Sequence, residues 1–200
     1  MLRDLAYPLT FTFRTLALAP QFSVVDADGA EVAFIKQKLF KLREQVKVYH
    51  DASQTSLMYH IAADRWLDWS AAYAFTTADG RAEGKVARQG ARSLWKAHYD
   101  VMDAAGTAQF TIRERSVTTR VLDNLLGEIP LVGLFTGYLF NPIYDVRRVG
   151  SGEAVAEFRK MPSGLGRRFM LRKTAPLHPD DEPAIVLSLM MMVLLERSRG

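Results

Sequence analysis

Cysteine is absent from this chain of 200 residues. The absence excludes disulfide bonds, thiol nucleophiles and thiolate metal sites, and it fits a reducing compartment. The four histidines, at positions 50, 60, 98 and 178, have no metal-ligand spacing, so we expect neither a metal nor a cofactor. The chain also has no glycine-rich phosphate loop, no G-x-S-x-G motif and no apolar run of about 18 residues. These absences argue against a nucleotide-dependent enzyme, an esterase-type hydrolase and a transmembrane helix.

The composition indicates one globular domain over residues 1–200, because 48% of the residues are hydrophobic and 24% are charged. A net charge of +4 favours anionic partners, but no recognition helix or stacking platform for nucleic acid is visible. Residues 1–20 resemble an export signal, yet Asp4 offsets the positive charge and Arg14 interrupts the apolar stretch. We therefore expect a cytoplasmic protein.

A short segment near the C-terminus is apolar on every side. Ala184 to Leu195 reads AIVLSLMMMVLL, and Ser188 is its one polar residue. Acidic residues precede the segment and arginines follow it, as the helix dipole favours. A helix without a polar face has to be buried all round, so the sequence predicts a core helix over about 183–197. The alternative, a helix packed on one face of a sheet, needs a polar outer face.

The rest of the chain alternates apolar and polar residues between turn signals. Asp28-Gly29 and Asp79-Gly80 are turn pairs that tolerate positive φ, and Gly106 and Gly150 mark two further turns. Many short strands with regular turns are typical of an all-β sandwich or barrel. A barrel closed around the apolar helix would remove the exposed strand edges and fill its own interior.

The run VAFIKQKLFKLR, Val32 to Arg43, follows a Val-x-Asp-x-x-Gly hairpin. It resembles the bacterial branch of the LURP-one-related family, which belongs with the tubby C-terminal domain and the phospholipid scramblases. The acidic turn and the apolar helix ending in Leu-Leu-Glu196 are similar to the same group, and the resemblance covers nearly the whole chain. It implies a closed antiparallel β-barrel of about 12 strands wrapped around the C-terminal helix.

The relatives implied by this resemblance differ from the chain at their functional segments. Tubby domains bind phosphoinositides through basic residues, but those ligands cannot be aligned here residue by residue. Scramblases carry a calcium-binding stretch before the last helix, where this chain has Asp180, Asp181 and Glu182. These acids lack the alternate spacing of a calcium loop, so helix capping is the preferred interpretation and calcium the alternative.

Five cations accompany the resemblance and form the candidate headgroup site. They are Lys36, Lys38, Lys41, Arg43 and Lys47. Alternation predicts that the last three point outwards, whereas Lys36 and Lys38 share a face with Val32 and Phe34, and so either line the barrel mouth or follow a bulge. Such cations would bind lipid phosphates; alternatively, they guard strand edges and keep the barrel soluble.

A second candidate contact lies in residues 121–142, where breakers interrupt an apolar stretch. Its large apolar residues are Leu131, Leu134, Phe135, Tyr138 and Phe140. They form either an apolar membrane or partner contact, or a connector folded over one end of the barrel.

The leading functional hypothesis is a non-enzymatic binding module that attaches to anionic phospholipid headgroups at the membrane periphery. The second hypothesis is an interaction or scaffold protein that docks a protein partner through the 121–142 segment. The third is an enzyme or small-molecule binder at the barrel mouth, with His60 or His98 as a base.

Overall fold

The computed structural model describes residues 1–14, 21–36, 45–63, 72–89, 98–115, 142–162 and 167–197. Within these ranges lie twelve strands, a short 3₁₀ helix and one α-helix. The strands are β1 (Leu9–Arg14), β2 (Gln21–Val25), β3 (Glu31–Lys36), β4 (Val46–Tyr49), β5 (Leu57–Ala63), β6 (Ala72–Thr77), β7 (Ala82–Arg88), β8 (His98–Met102), β9 (Ala108–Glu114), β10 (Ile143–Arg148), β11 (Ala154–Met161) and β12 (Arg167–Lys173). The 3₁₀ helix covers Pro179–Asp181, and α1 covers Glu182–Arg197.

The twelve strands close into one antiparallel barrel. Each strand pairs with its neighbours in the sequence, and β1 pairs with β12 to complete the ring. Alternate side chains point inwards, as in β1, where Leu9, Phe11 and Phe13 are buried while Thr10 and Thr12 are half-buried. The predicted closed barrel around a C-terminal helix is confirmed.

Tight turns lie at one end of the barrel, which we call the turn end. The turns over residues 26–30, 78–81, 103–107 and 149–153 each contain a glycine with φ between +84° and +91°, at positions 29, 80, 106 and 150. In the first three, the glycine N–H donates to the carbonyl of the residue three positions earlier, at 2.9–3.2 Å. These are the turns that the sequence predicts. The opposite end, where α1 finishes, is called the far end.

Helix α1 runs through the lumen from the turn end to the far end. Its residues 183–194 are all buried, which confirms the predicted core helix. Its backbone lies closest to β6, β7 and β8. At Gly84 of β7, an added Cβ would lie 2.5 Å from the Met102 carbonyl oxygen and 3.5 Å from the Ala184 Cβ. A glycine is therefore needed where α1 approaches the wall most closely.

The N-terminal residues close the turn end. Leu2 is fully buried, and its N–H donates to the Tyr59 hydroxyl at 3.2 Å. Arg3 forms ion pairs with Glu83 and, at 3.0 Å, with Asp180. These contacts bind the chain start to the barrel wall and to the segment that leads into α1.

The three acids at the start of α1 each pair with a different cation. Asp180 pairs with Arg3; Asp181 lies 3.9 Å from Arg148; and the fully buried Glu182 lies 2.6 Å from the Lys173 ammonium group. Glu182 also accepts a 3.1 Å hydrogen bond from the Leu5 N–H. Within the described ranges, no three or more His, Cys, Asp or Glu side chains form a group that could hold a metal ion. The described helices are also too short or too polar to cross a membrane.

Candidate functional site

The outer face of β9, β10 and β11 carries a network of paired charges. Arg115 pairs with Asp145 and, at 3.1 Å, with Glu157. Arg147 adds a 3.1 Å pair to Asp145, and Arg159 adds a 3.1 Å pair to Glu157. Burial raises the pKa of Asp145, but hydrogen bonds from Arg115 and Arg147 more than offset it, so its pKa lies below the usual value. The cations of this network are thus already neutralised by acids of the same chain.

Three cations on β1, β3 and β4 have no such partners. Arg14 lies opposite Gln21 of β2, and Gln21 lies opposite Lys36 of β3. The β3–β4 register, continued two residues from the Phe34–Tyr49 pair, places Lys36 beside Lys47. Arg14, Lys36 and Lys47 therefore form one row across four strands, about 14 Å long at the usual strand spacing. We call these three residues the cationic row.

The side chains of the cationic row are exposed and unpaired. None of the three has an ion pair or side-chain hydrogen bond with another described residue. Like charges opposite each other on neighbouring strands destabilise a sheet. Edge protection does not account for the two lysines, because β3 and β4 are inner members of a closed barrel. The row is therefore the part of the described surface best suited to an anionic partner.

The direction of Lys36 differs from the sequence-based expectation. Its neighbours Ala33 and Ile35 belong to the core and pair with Val24 and Phe22, whereas Phe34 pairs with Ser23 and Tyr49 on the outer side. Lys36 consequently points outwards, with Phe34. The bulky Val32 and Phe34 suggested the wrong core face, because the small Ala33 contributes little to an apolar pattern. Lys47 points outwards as predicted, between the buried Val46 and Val48.

The remaining residues of both predicted contacts lie outside the described ranges. From the basic set these are Lys38, Lys41 and Arg43. From the apolar set these are Leu131, Leu134, Phe135, Tyr138 and Phe140. Their roles stay predictions. Arg14 was not predicted as a site residue, although its alternation with Phe11 and Phe13 already indicated an outward side chain at the end of a strand.

The two histidines considered as bases lie on the outer face of the barrel. His60 pairs in register with Lys47 and with Thr76. His98 has Asp100 Oδ1 at 3.4 Å and accepts a hydrogen bond of 3.3 Å from Arg113 Nε. Partial burial, and next the Arg113 charge, lower the pKa of His98. Both rings therefore point away from the barrel lumen.

Charge is distributed unequally between the two ends of the barrel. The turns, N-terminal residues and α1 approach at the turn end, residues 1–8, 26–30, 50–56, 78–81, 103–107, 149–153 and 174–182, hold ten carboxylates against Arg3 and Arg81. At the far end, the last three residues of the described strands and their neighbours hold ten Lys or Arg side chains against Asp100, Glu114 and Asp145. The barrel is thus negative at the turn end and positive at the far end.

A cavity of about 230 Å³ lies in the lumen at the far end. Its walls include Tyr144, Phe169, Met192, Val193, Lys160 and Arg167. Met192 and Val193 come from the side of α1 away from its closest approach to the wall at β7. Sequence reasoning missed Lys160, and it interpreted Arg167 only as a basic exit from a turn.

Comparisons of the chain with protein-family models, with curated proteins and with solved structures find no match.

Proposed function

We propose that this chain is a non-enzymatic binding module that docks on anionic phospholipid headgroups through the far end of its barrel. The cationic row carries the proposal, because Arg14, Lys36 and Lys47 are exposed and have no acidic partner among the described residues. A phospholipid surface offers phosphates at many positions, so it suits a row of point charges without a preformed pocket.

The unequal charge of the two ends supports a defined orientation. An anionic surface attracts the positive far end and repels the negative turn end, so the protein would approach with the row facing the lipid. Part of the proposal is membership of the LURP-one-related family, since a twelve-stranded barrel around a C-terminal helix is the fold that the resemblance implies.

The contrast with β9 to β11 argues that the row is a specific feature. There, Arg115, Arg147 and Arg159 are each matched by Asp145 or Glu157. A barrel that needed cations only for solubility would not distinguish its two sides in this way. Each lysine close to an anionic surface contributes about 1 kcal/mol, so removing two of them should weaken binding about thirtyfold.

The experiment compares two double variants of equal net charge in vesicle co-sedimentation. Lys36→Gln with Lys47→Gln removes two charges of the row, and Arg81→Gln with Lys85→Gln removes two charges nearer the turn end. We expect the wild type to bind phosphatidylserine vesicles but not phosphatidylcholine vesicles, and to dissociate as salt rises. The row variant should lose binding about thirtyfold, whereas the control should stay within about threefold of the wild type. Equal losses in both variants would show that net charge alone matters and would refute the site.

A further inference from the structure

The far-end cavity combines an apolar wall with two inward-facing cations. Tyr144 and Phe169 belong to the core cluster, and Met192 and Val193 are at most 4% exposed. Lys160 lies opposite Phe169 in the β11–β12 register, so its side chain points to the inner face. Arg167 is two residues before Phe169 on the same strand and shares that face.

The two cations stand close enough to bind one anionic group together. Diagonal neighbours on adjacent antiparallel strands are roughly 7–8 Å apart at the backbone, and both side chains are long. Neither Lys160 nor Arg167 has an ion pair or a side-chain hydrogen bond with another described residue. Glu114, which pairs in register with Tyr144, is not among the residues that line the cavity. Arg167 is exposed, so the charged side of the cavity opens to solvent.

The cavity is large enough for an apolar group of moderate size. At about 230 Å³, it exceeds the engineered cavity of about 150 Å³ that binds benzene in another protein. Apolar walls favour a hydrocarbon chain, and the cations at the opening favour a carboxylate or phosphate at its end. The close approach of α1 to β7 at Gly84 holds the helix near that wall, while the cavity lies beside β10, β11 and β12.

We infer that this cavity binds a single-chain amphiphile with an anionic head, its hydrocarbon chain against Phe169 and Met192 and its head between Lys160 and Arg167. The ligand class covers a free medium-chain fatty acid and one acyl chain drawn from a membrane lipid. The inference goes beyond the proposed membrane docking, because it depends on inward-facing residues and not on the cationic row.

The first test uses wild-type protein and soluble probes without vesicles. Octanoate, below its micelle concentration, is titrated by calorimetry beside acetate, which has the head without the chain, and octylammonium, which has the chain with the opposite charge. We expect saturable one-to-one binding of octanoate and binding at least about tenfold weaker for the other two. Absence of saturable octanoate binding, or equal binding of octylammonium, would overturn the inference.

The second test uses variants of the cavity. Lys160→Gln with Arg167→Gln should weaken octanoate binding about tenfold or more, whereas Arg168→Gln, a change at the neighbouring outward-facing residue, should leave it unchanged. Val193→Phe should abolish binding by filling the cavity, with the thermal transition checking that the variant is folded. Octanoate binding that survives both changes would refute the assignment.

Vesicle binding of Val193→Phe then distinguishes the two sources of the ligand. If the variant loses octanoate but keeps phosphatidylserine vesicles, the cavity takes a free fatty acid. If it loses both, the cavity takes an acyl chain from the membrane. A failure of the Lys36 and Lys47 variants to alter vesicle binding would refute the docking proposal alone, because the octanoate titrations contain no lipid surface.

Discussion

The buried ion pair between Lys173 and Glu182 should couple the barrel wall to the start of α1. Glu182 is fully buried, and its two oxygens accept from the Lys173 ammonium at 2.6 Å and from the Leu5 N–H at 3.1 Å. The Lys173 side chain is 32% exposed, and its ammonium lies 4.3 Å from the centre of the Tyr7 ring. One carboxylate therefore joins β12, α1 and the N-terminal segment.

The size of the effect follows from what each substitution leaves behind. Lys173→Met leaves a fully buried carboxylate without its counter-ion, and Glu182→Leu leaves the ammonium and the Leu5 N–H without an acceptor. Removing one partner of a buried pair costs about 3–5 kcal/mol; we expect about 3 kcal/mol for each variant, because Lys173 reaches solvent. The double variant replaces the pair by apolar side chains of similar volume, which is often close to neutral.

The assay is urea unfolding of the wild type, the two single variants and the double variant. We expect the double variant to lose at least about 2 kcal/mol less than the sum of the two single losses. A double variant whose loss equals that sum would mean that the two side chains act independently, and the described coupling of β12 to α1 would be refuted.

Two further predictions concern the barrel wall. Gly84→Ala should lower the free energy of unfolding by about 2 kcal/mol or more, because its Cβ would lie 2.5 Å from the Met102 oxygen at φ +145°, whereas Gly29→Ala, with open space around its Cβ, should cost about half as much in thermal unfolding. The lowered pKa of His98, caused by partial burial and then by Arg113, means that the unfolded chain binds the proton more readily than the folded one. The resulting stability is complete above pH 6.5 and is lost as pH falls below it, so acidification from about pH 7.5 to about 5.5 should destabilise the wild type more than His98→Gln in urea titrations; an equal response would refute this role.

Much of the fold could be predicted because its signals are local. Asp28-Gly29 and Asp79-Gly80 specify tight turns through backbone conformation alone, and the lack of a polar face on residues 184–195 requires burial on all sides. The direction of Lys36 could not be predicted, because the core position at Ala33 carries too small a side chain to mark the inner face. Local alternation was therefore insufficient where a strand is apolar on both faces.

The candidate sites depend on contacts between distant parts of the sequence. Arg14, Lys36 and Lys47 become one row only through the pairing of β1 to β4, and Arg115 is neutralised by acids 30 and 42 residues further along the chain. A sequence lists all these cations alike. Which of them remain unpaired is decided by cross-strand register, which residue spacing does not encode.

The position of α1 should connect the packing at Gly84 to the far-end cavity. Ala184, at the start of the helix, lies 3.5 Å from the Cβ that an alanine would place at Gly84, and the Met102 backbone blocks the other direction. The relief available to Gly84→Ala is a shift of α1 away from β7, towards the wall that includes β12. Because Met192 and Val193 lie on the cavity side of the same rigid helix, this shift would narrow the cavity. Gly84→Ala should therefore weaken octanoate binding at least about threefold while leaving vesicle binding by the cationic row unchanged, whereas Gly29→Ala should alter neither. Unchanged octanoate affinity in a folded Gly84→Ala variant would show that the helix position does not set the size of the cavity.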